Sequence, residues 1–479
     1  MKIPEGEELT RLSAVELARL IRARAVSPVE AVEAYLRQIE RVNPTLNAVV
    51  TLAPDALERA REAEAAVACG ESAGVLQGVP VTVKDTIDVR DLRATCGSRV
   101  RAEHVAESDA PAVARLRAAG AVIIGKTNCP EFALDYTSEN PIFGRTNNPH
   151  DLERTPGGSS GGCAAAVAAC MTVGSLGSDL AGSIRIPAHF CGVSGLKPTT
   201  GRVPGDGQMP PASGLYSLGA TLGPLARTVD DLRLFYSVLS DEAAVAGFEI
   251  DARESLKGMR VAFYDDDGAN KVSVETSEAV RRAARALDDA GLEVVEEIPP
   301  GVVEATGLWL SLFEYATQRF VRASYAGREA EAGRAAHVIL ERAQRWGEPP
   351  LEKVLAAWEE RDRVRARLRR WMELTPLLIA PVGAIPAFRH EEFGRVEIEG
   401  RSVSTFRAFA HAHAANVFDL PAACVPAGRT AEGLPLGVQV VGRPYEEWRV
   451  LAAARVLEEA LGGWRAPPET LPNGRGNPL

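Results

Sequence analysis

Apolar residues recur three and four apart through residues 10–75, the period of helices with one buried face. Two helix starts are legible there. Ser13-Ala-Val-Glu16 and Ser27-Pro-Val-Glu30 have capping-box spacing, the second with Pro28 at the first helical position. The Gly70–Gly74 stretch ends this helical lead-in. The period then changes to two: Val79, Val81 and Val83 alternate with Pro80, Thr82 and Lys84, a strand running into a lysine. APAVARLRAAG reads as a helix and AVIIG as an apolar strand; CAAAVAACM and TVGSLGSD repeat the helix–strand pair. Thr199–Thr221 reads as a Gly- and Pro-rich loop, and Thr228-Val-Asp-Asp231 opens a further helix. Beyond residue 240, GMRVAFY, SVETSEAVRRAARALDDAG and LEVVEEI predict a strand, a helix and a strand. Residues 302–373 read as almost wholly helical, with charge on alternating turns and Trp309, Trp346, Trp358 and Trp371 as core anchors between helices. LLIAPVGAIPAF, AACVPAG and LGVQVVG return to strands, and YEEWRVLAAARVLEEALG is a closing helix before the low-complexity LPNGRGNPL. Such alternation suggests an α/β sheet, and 479 residues could hold two or three domains on average domain size.

Composition narrows the class. A net charge of −10 over 479 residues argues against a nucleic-acid binder, which carries a basic face. No run approaches the roughly 18 apolar residues of a membrane span, and MKIPEGEELTRLSAVELARL lacks the pattern of a secretory signal, so a cytoplasmic protein is expected. The seven cysteines (Cys69, Cys96, Cys129, Cys163, Cys170, Cys191, Cys424) form no CxxC pair and are expected reduced. His411 and His413 are the closest histidines, and an i, i+2 pair is weak as a ligand set; no metal and no cofactor is expected. Only seven of the 54 basic residues are lysine. Arginine does not lose its proton in proteins, so lysine retained in such a chain draws attention where a base is needed. For Lys84 the alternative is a structural salt bridge to Asp85 or Asp88.

Candidate chemistry lies between Thr155 and Gly201. Ser159, Ser160 and Ser183 sit among glycines in TPGGSSGGCAAAVAACMTVGSLGSDLAGSIRIPAHFCGVSGLKPTTG. Small residues allow close backbone approach and can leave N–H groups open to a reacting atom, the outline of an acyl-transfer site. Other readings compete. Gly158-Ser-Ser160-Gly-Gly162 fits the nucleophile-elbow pattern GxSxG, although NPHDLERTPG is no strand. The same loop before a helix could cradle a phosphate, or be only a tight turn between buried elements. Upstream, Gly120-Ala-Val-Ile-Ile-Gly125-Lys126-Thr127 matches a P-loop by letter, but its middle four residues suit a buried strand, so nucleotide binding is not expected.

Taken together, the VTVKD lysine, GGSSGG, and Ser183 in SDLAGSIRIP 24 residues after Ser159 resemble the amidase signature family. Gly125-Lys-Thr-Asn-Cys-Pro-Glu-Phe132, Phe190-Cys-Gly-Val-Ser-Gly-Leu-Lys-Pro198 and Gly-Leu-Pro-Leu-Gly-Val-Gln-Val-Val-Gly442-Arg-Pro extend the resemblance in order and spacing. It covers roughly residues 75–230 and 376–460, leaving 10–75 as a helical lead-in and 240–375 as a variable, mostly helical insertion. The resemblance implies an α/β fold, a single large domain with a central mixed sheet covered by helices on both faces, and amide hydrolysis by a Ser–cis-Ser–Lys triad: Ser183 the nucleophile, Ser159 the bridging serine on a cis peptide, Lys84 the base. It further implies an oxyanion hole from the N–H groups of Leu180, Ala181, Gly182 and Ser183. Ser160, Asp179 and Arg185 are candidates for support or substrate contact; Arg185 could bind a substrate carboxylate or serve nearby carbonyls and Asp179. The family commonly has glycine where Ala181 stands, which matters if that position requires φ > 0. A stand-alone amidase is the first expectation, acting on a small amide with neither nucleic acid nor membrane as partner, a homodimer left open. The alternatives are the glutamine-hydrolysing component of an amidotransferase acting on misacylated tRNA, and a non-catalytic binding member.

Overall fold

The computed structural model describes residues 6–70, 74–240 and 252–468; the terminal LPNGRGNPL lies outside them. Eleven strands form one mixed sheet. In chain order they are β1 (Val49–Leu52), β2 (Pro80–Lys84), β3 (Val122–Thr127), β4 (Gly174–Asp179), β5 (Ser194–Lys197) and β6 (Thr221–Ala226). After them come β7 (Arg260–Phe263), β8 (Glu293–Glu296), β9 (Leu377–Pro381), β10 (Ala422–Arg429) and β11 (Pro435–Gly442). Their order across the sheet is β1-β3-β2-β4-β6-β5-β10-β11-β9-β7-β8. The β3-β2-β4 trio is parallel, and every residue of β2 and β3 is buried. Ligands of open α/β sheets bind beyond the carboxyl ends of parallel strands, and here those ends carry Lys84, Thr127 and Ser178-Asp179.

Both capping boxes form, Ser13 with Glu16 and Ser27 with Glu30, each serine bonding the third helical N–H and each glutamate reaching back. The P-loop lookalike is strand: Lys126 and Thr127 lie buried in β3, so no loop cradles a phosphate there. One hydrophobic core runs from Leu9 to Leu457, with a smaller cluster around Phe132, Tyr325 and Ile339. Among the described residues no helix is long and apolar enough to cross a membrane.

Several expectations are corrected. The lead-in is not wholly helical, because Val49–Leu52 pairs antiparallel with β3 at the sheet edge. Strands β5 and β6 emerge from Gly- and Pro-rich sequence; a Cβ at Gly223 would lie 2.1 Å from the Leu196 oxygen, so only glycine lets these two strands meet as they do. Residues 302–373 are almost wholly helical, as expected, but in several pieces. They split into Val302–Trp309, a π-turn at Leu310–Glu314, Tyr315–Ser324, Arg334–Trp346 and Leu351–Leu374, with left-handed Gly327 and Gly347 in the breaks. Trp346 and Trp358 are 61% and 38% exposed and therefore do not anchor helices to each other. Trp309 and the half-buried Trp371 do pack inward.

Candidate active site

Lys84 ends β2 with its whole side chain buried. Its Nζ lies 2.7 Å from Ser159 Oγ, 3.1 Å from Ser160 Oγ and 3.0 Å from Ser178 Oγ. Among the described residues no carboxylate forms an ion pair with it. Asp85 is used elsewhere: it accepts from Thr95 Oγ1 at 2.6 Å and faces Lys126 at 3.9 Å. Burial without an ion-pair partner disfavours the ammonium form, so the Lys84 pKa is pushed below its ordinary value, against the opposing pull of Cys129, Cys163 and Asp179. A neutral amine has two N–H donors and one lone pair, which suits three hydroxyl neighbours. Ser160 Oγ is 3.2 Å from the Ser178 carbonyl, to which it donates, so it must accept from Lys84. The lone pair is then available to the Ser159 hydroxyl.

The glycines explain how two serines reach one lysine. Gly158 and Ser159 are joined by a cis peptide bond. A Cβ at Gly158 would stand 2.3 Å from the Thr137 oxygen and 2.5 Å from that of Asp135, so the loop lies directly on the backbone of the 135–137 segment. Ser160 is the N-cap position of the Gly161–Ala168 helix, is fully buried, and is tied to both backbone groups of Ser178. That placement excludes the elbow reading, in which Ser160 would be the exposed nucleophile.

Ser183 lies in the turn between β4 and the Arg185–Cys191 helix. Ser159 and Ser183 both line a cavity of about 380 Å³. Their two loops are stitched together by the Ser160 N–H, which donates to the Ser183 carbonyl at 3.1 Å. Among the described residues Ser159 Oγ and Ser183 Oγ share no hydrogen bond; the structure brings Lys84 and Ser159 into contact and Ser183 onto the same wall.

Asp179 organises the turn. Its carboxylate accepts from Gly182 N–H at 2.8 Å and Ile184 N–H at 3.0 Å, and pairs with Arg185 at 3.0 Å, both side chains fully buried. Burial raises the Asp179 carboxyl, but Arg185 and the backbone donors outweigh it and hold it well below the usual range. Gly182 N–H is therefore spent on Asp179. Leu180, Ala181 and Ser183 keep N–H groups without a protein acceptor among the described residues. Left-handed geometry falls on Gly182, at φ 96°, and not on Ala181, so the alanine carries no backbone strain. Arg185 also donates to Ala412 O, Gln439 Oε1 and Asn416 Oδ1, at 2.9, 2.7 and 2.7 Å. Its donors are consumed by the fold, which excludes it as a substrate-carboxylate binder.

Two residues of this arrangement escape sequence reasoning. Ser178 is the third hydroxyl on Lys84; its only signal is its position beside Asp179 at the end of a predicted strand. Trp309, from the helical insertion, donates its indole N–H to the Leu180 carbonyl at 2.9 Å and lines the cavity. His413 is a buried core histidine, bonded to Tyr136 at 2.9 Å and stacked on Trp309; His411 bonds Asn270 O instead. Among the described residues no group of three or more His, Cys, Asp or Glu is arranged to hold a metal ion.

Comparison with known proteins sets this geometry in a family. A family model described as Amidase matches residues 30–451. A glutamyl-tRNA(Gln) amidotransferase subunit of Carboxydothermus hydrogenoformans is 33% identical over 494 residues, covering 96% of this chain and 100% of its own. The structure of 6-aminohexanoate cyclic dimer hydrolase complexed with substrate superposes with a TM-score of 0.84 at 30% identity, covering 97% of this chain and 99% of that one. A bacterial aryl acylamidase of the amidase signature enzymes gives 0.84 at 27% identity, again over 97% and 99%. With a family model spanning most of its length and a full-length relative one-third identical, the chain belongs to the amidase family of enzymes that act on C–N bonds.

Proposed function

We propose that this chain hydrolyses a carboxylic amide through an acyl-enzyme on Ser183. The observation that carries the reading is Lys84: fully buried, without a carboxylate ion pair among the described residues, and 2.7 Å from Ser159 at the wall of the cavity that Ser183 shares. Ser183 attacks the amide carbon as its proton passes to Ser159, whose own proton goes to Lys84. The tetrahedral oxyanion forms beside the N–H groups of Leu180, Ala181 and Ser183. Lys84 returns the proton through Ser159 to the leaving nitrogen, the C–N bond breaks, and water releases the acid by the same relay. Ser183 Oγ reaches Ser159 by side-chain rotation on substrate binding; catalytic hydrogen bonds are often long before the substrate complex forms.

A second reading shares this chemistry and differs in substrate. Curated relatives of the chain carry the name of a glutamyl-tRNA(Gln) amidotransferase subunit, which favours glutamine as amide and further protein chains as partners over the stand-alone enzyme. Ammonia release by the purified chain, measured on L-glutamine and on neutral amides with Ser183→Ala as control, decides between them. Turnover of neutral amides by the single chain, abolished in Ser183→Ala, supports the stand-alone amidase. Glutamine turnover alone, or turnover only when partner chains co-purify, selects the amidotransferase. Activity that survives Ser183→Ala refutes both.

A further inference from the structure

The cavity wall speaks to the acyl group. Tyr216, Trp309, Leu310, Ile339, Trp346 and Phe406 line it, drawn from the 208–220 loop, the helical insertion and the short Thr405–Ala408 helix. The indole of Trp309 is held in place by its bond to the Leu180 carbonyl, and Phe406 packs on it with ring centroids 4.9 Å apart. An apolar group against Trp309 therefore sits beside the loop that carries Ser183.

The charges on the same wall are Asp135, Asp179, Glu314 and Arg342. Asp179 is engaged by Arg185. Arg342 is the one cation on the wall among the described residues, and Glu314 already faces it at 3.4 Å. Asp135 accepts from Tyr136 N–H at 2.6 Å and Thr137 Oγ1 at 3.2 Å, and burial raises its carboxyl to about 6, so near neutral pH it is largely an anion. A substrate carboxylate entering this cavity meets three carboxyl groups and one guanidinium that is already paired. A site that selects a charged substrate presents an unpaired opposite charge, and this wall presents none to an anion.

Resting on the amidase reading above, we infer that the substrate is an amide with an apolar acyl chain or ring, seated against Trp309 and Phe406, and that amides whose only charge is a carboxylate are disfavoured by the wall. The specificity comes from the helical insertion and lies outside the Lys84–Ser159–Ser183 machinery.

Calorimetric binding to the Ser183→Ala protein tests this apart from turnover. The probes are propanamide, butanamide, hexanamide, 3-phenylpropanamide and L-glutamine. Affinity should rise about threefold to fourfold for each methylene added, with a negative heat-capacity change, and 3-phenylpropanamide should bind at least as well as hexanamide. Trp346→Asp, at a site exposed enough to tolerate substitution, should weaken hexanamide binding at least threefold with an unchanged circular-dichroism spectrum. Affinity that is flat with chain length, or glutamine binding tighter than hexanamide, overturns the inference even if the wild-type chain cleaves amides. Chain-length-dependent binding without wild-type turnover refutes the hydrolase reading and leaves the apolar site standing.

Discussion

Lys84 is a lysine whose environment gives the amine no reason to stay charged. Three hydroxyls surround its nitrogen, and among the described residues no carboxylate forms an ion pair with it. Lowering its pKa below the ordinary 10.5 populates the neutral base at a lower pH than free lysine would allow. The sign follows: as pH falls through the folded value Lys84 takes up a proton, and kcat/KM falls with it. An acid limb below pH 10.5 is expected in the rate profile. Lys84→Arg keeps a cation but cannot supply a base, so it should lose about 10⁴-fold in kcat, and Lys84→Met should lose as much. If Lys84→Arg retains more than a tenth of wild-type kcat, the amine acts only as a charge. At this scale the sequence was informative: the strand-borne lysine and the glycine-flanked serines mark the site. Ser178 was not legible, because one serine among many in a strand announces nothing until its neighbour across the sheet is known. Nor was the loss of the Gly182 N–H to Asp179, which depends on the path of the turn.

The elements that hold Ser183 form a clamp. Asp179 at the end of β4 fixes two N–H groups of the turn, and Arg185 at the start of the next helix ties that carboxylate to Ala412, Asn416 and Gln439. Three distant segments of chain are thereby joined around Ser183. Removing one member leaves a buried, uncompensated charge, which costs about 3–5 kcal/mol. Arg185→Met should therefore lower the unfolding free energy in denaturant titration by about that amount and reduce kcat as the turn loosens. A loss under about 1 kcal/mol, the scale of a surface ion pair, would mean that Arg185 is not part of the clamp. Sequence spacing allowed Arg185 to be either a clamp or a carboxylate receptor; only its burial and its four partners decide. Strong periodic elements such as β2 and the capped Pro28–Leu46 helix were legible. β1, β5 and β6 were not, since short strands rich in Gly and Pro, or set inside helical sequence, owe their state to the neighbours they pair with.

Across the whole molecule, an 11-stranded sheet sets Lys84 beneath Ser159, and Ser159 and Ser183 share one cavity with aromatic rings from the helical insertion. The family relation was readable from motif order, because those motifs carry backbone geometry that tolerates little change. The cavity lining was not, because Trp309, Leu310 and Ile339 are in sequence ordinary helix residues. The proposed chemistry requires that one serine among all those in the chain be the nucleophile. The most direct measurement is intact-mass and peptide mapping after treatment with a small fluorophosphonate, on the wild-type chain and on Lys84→Met. A single adduct on Ser183, lost in Lys84→Met, is the predicted result. An adduct on Ser160 or any other serine, or one on Ser183 that forms equally fast without the lysine, would contradict it.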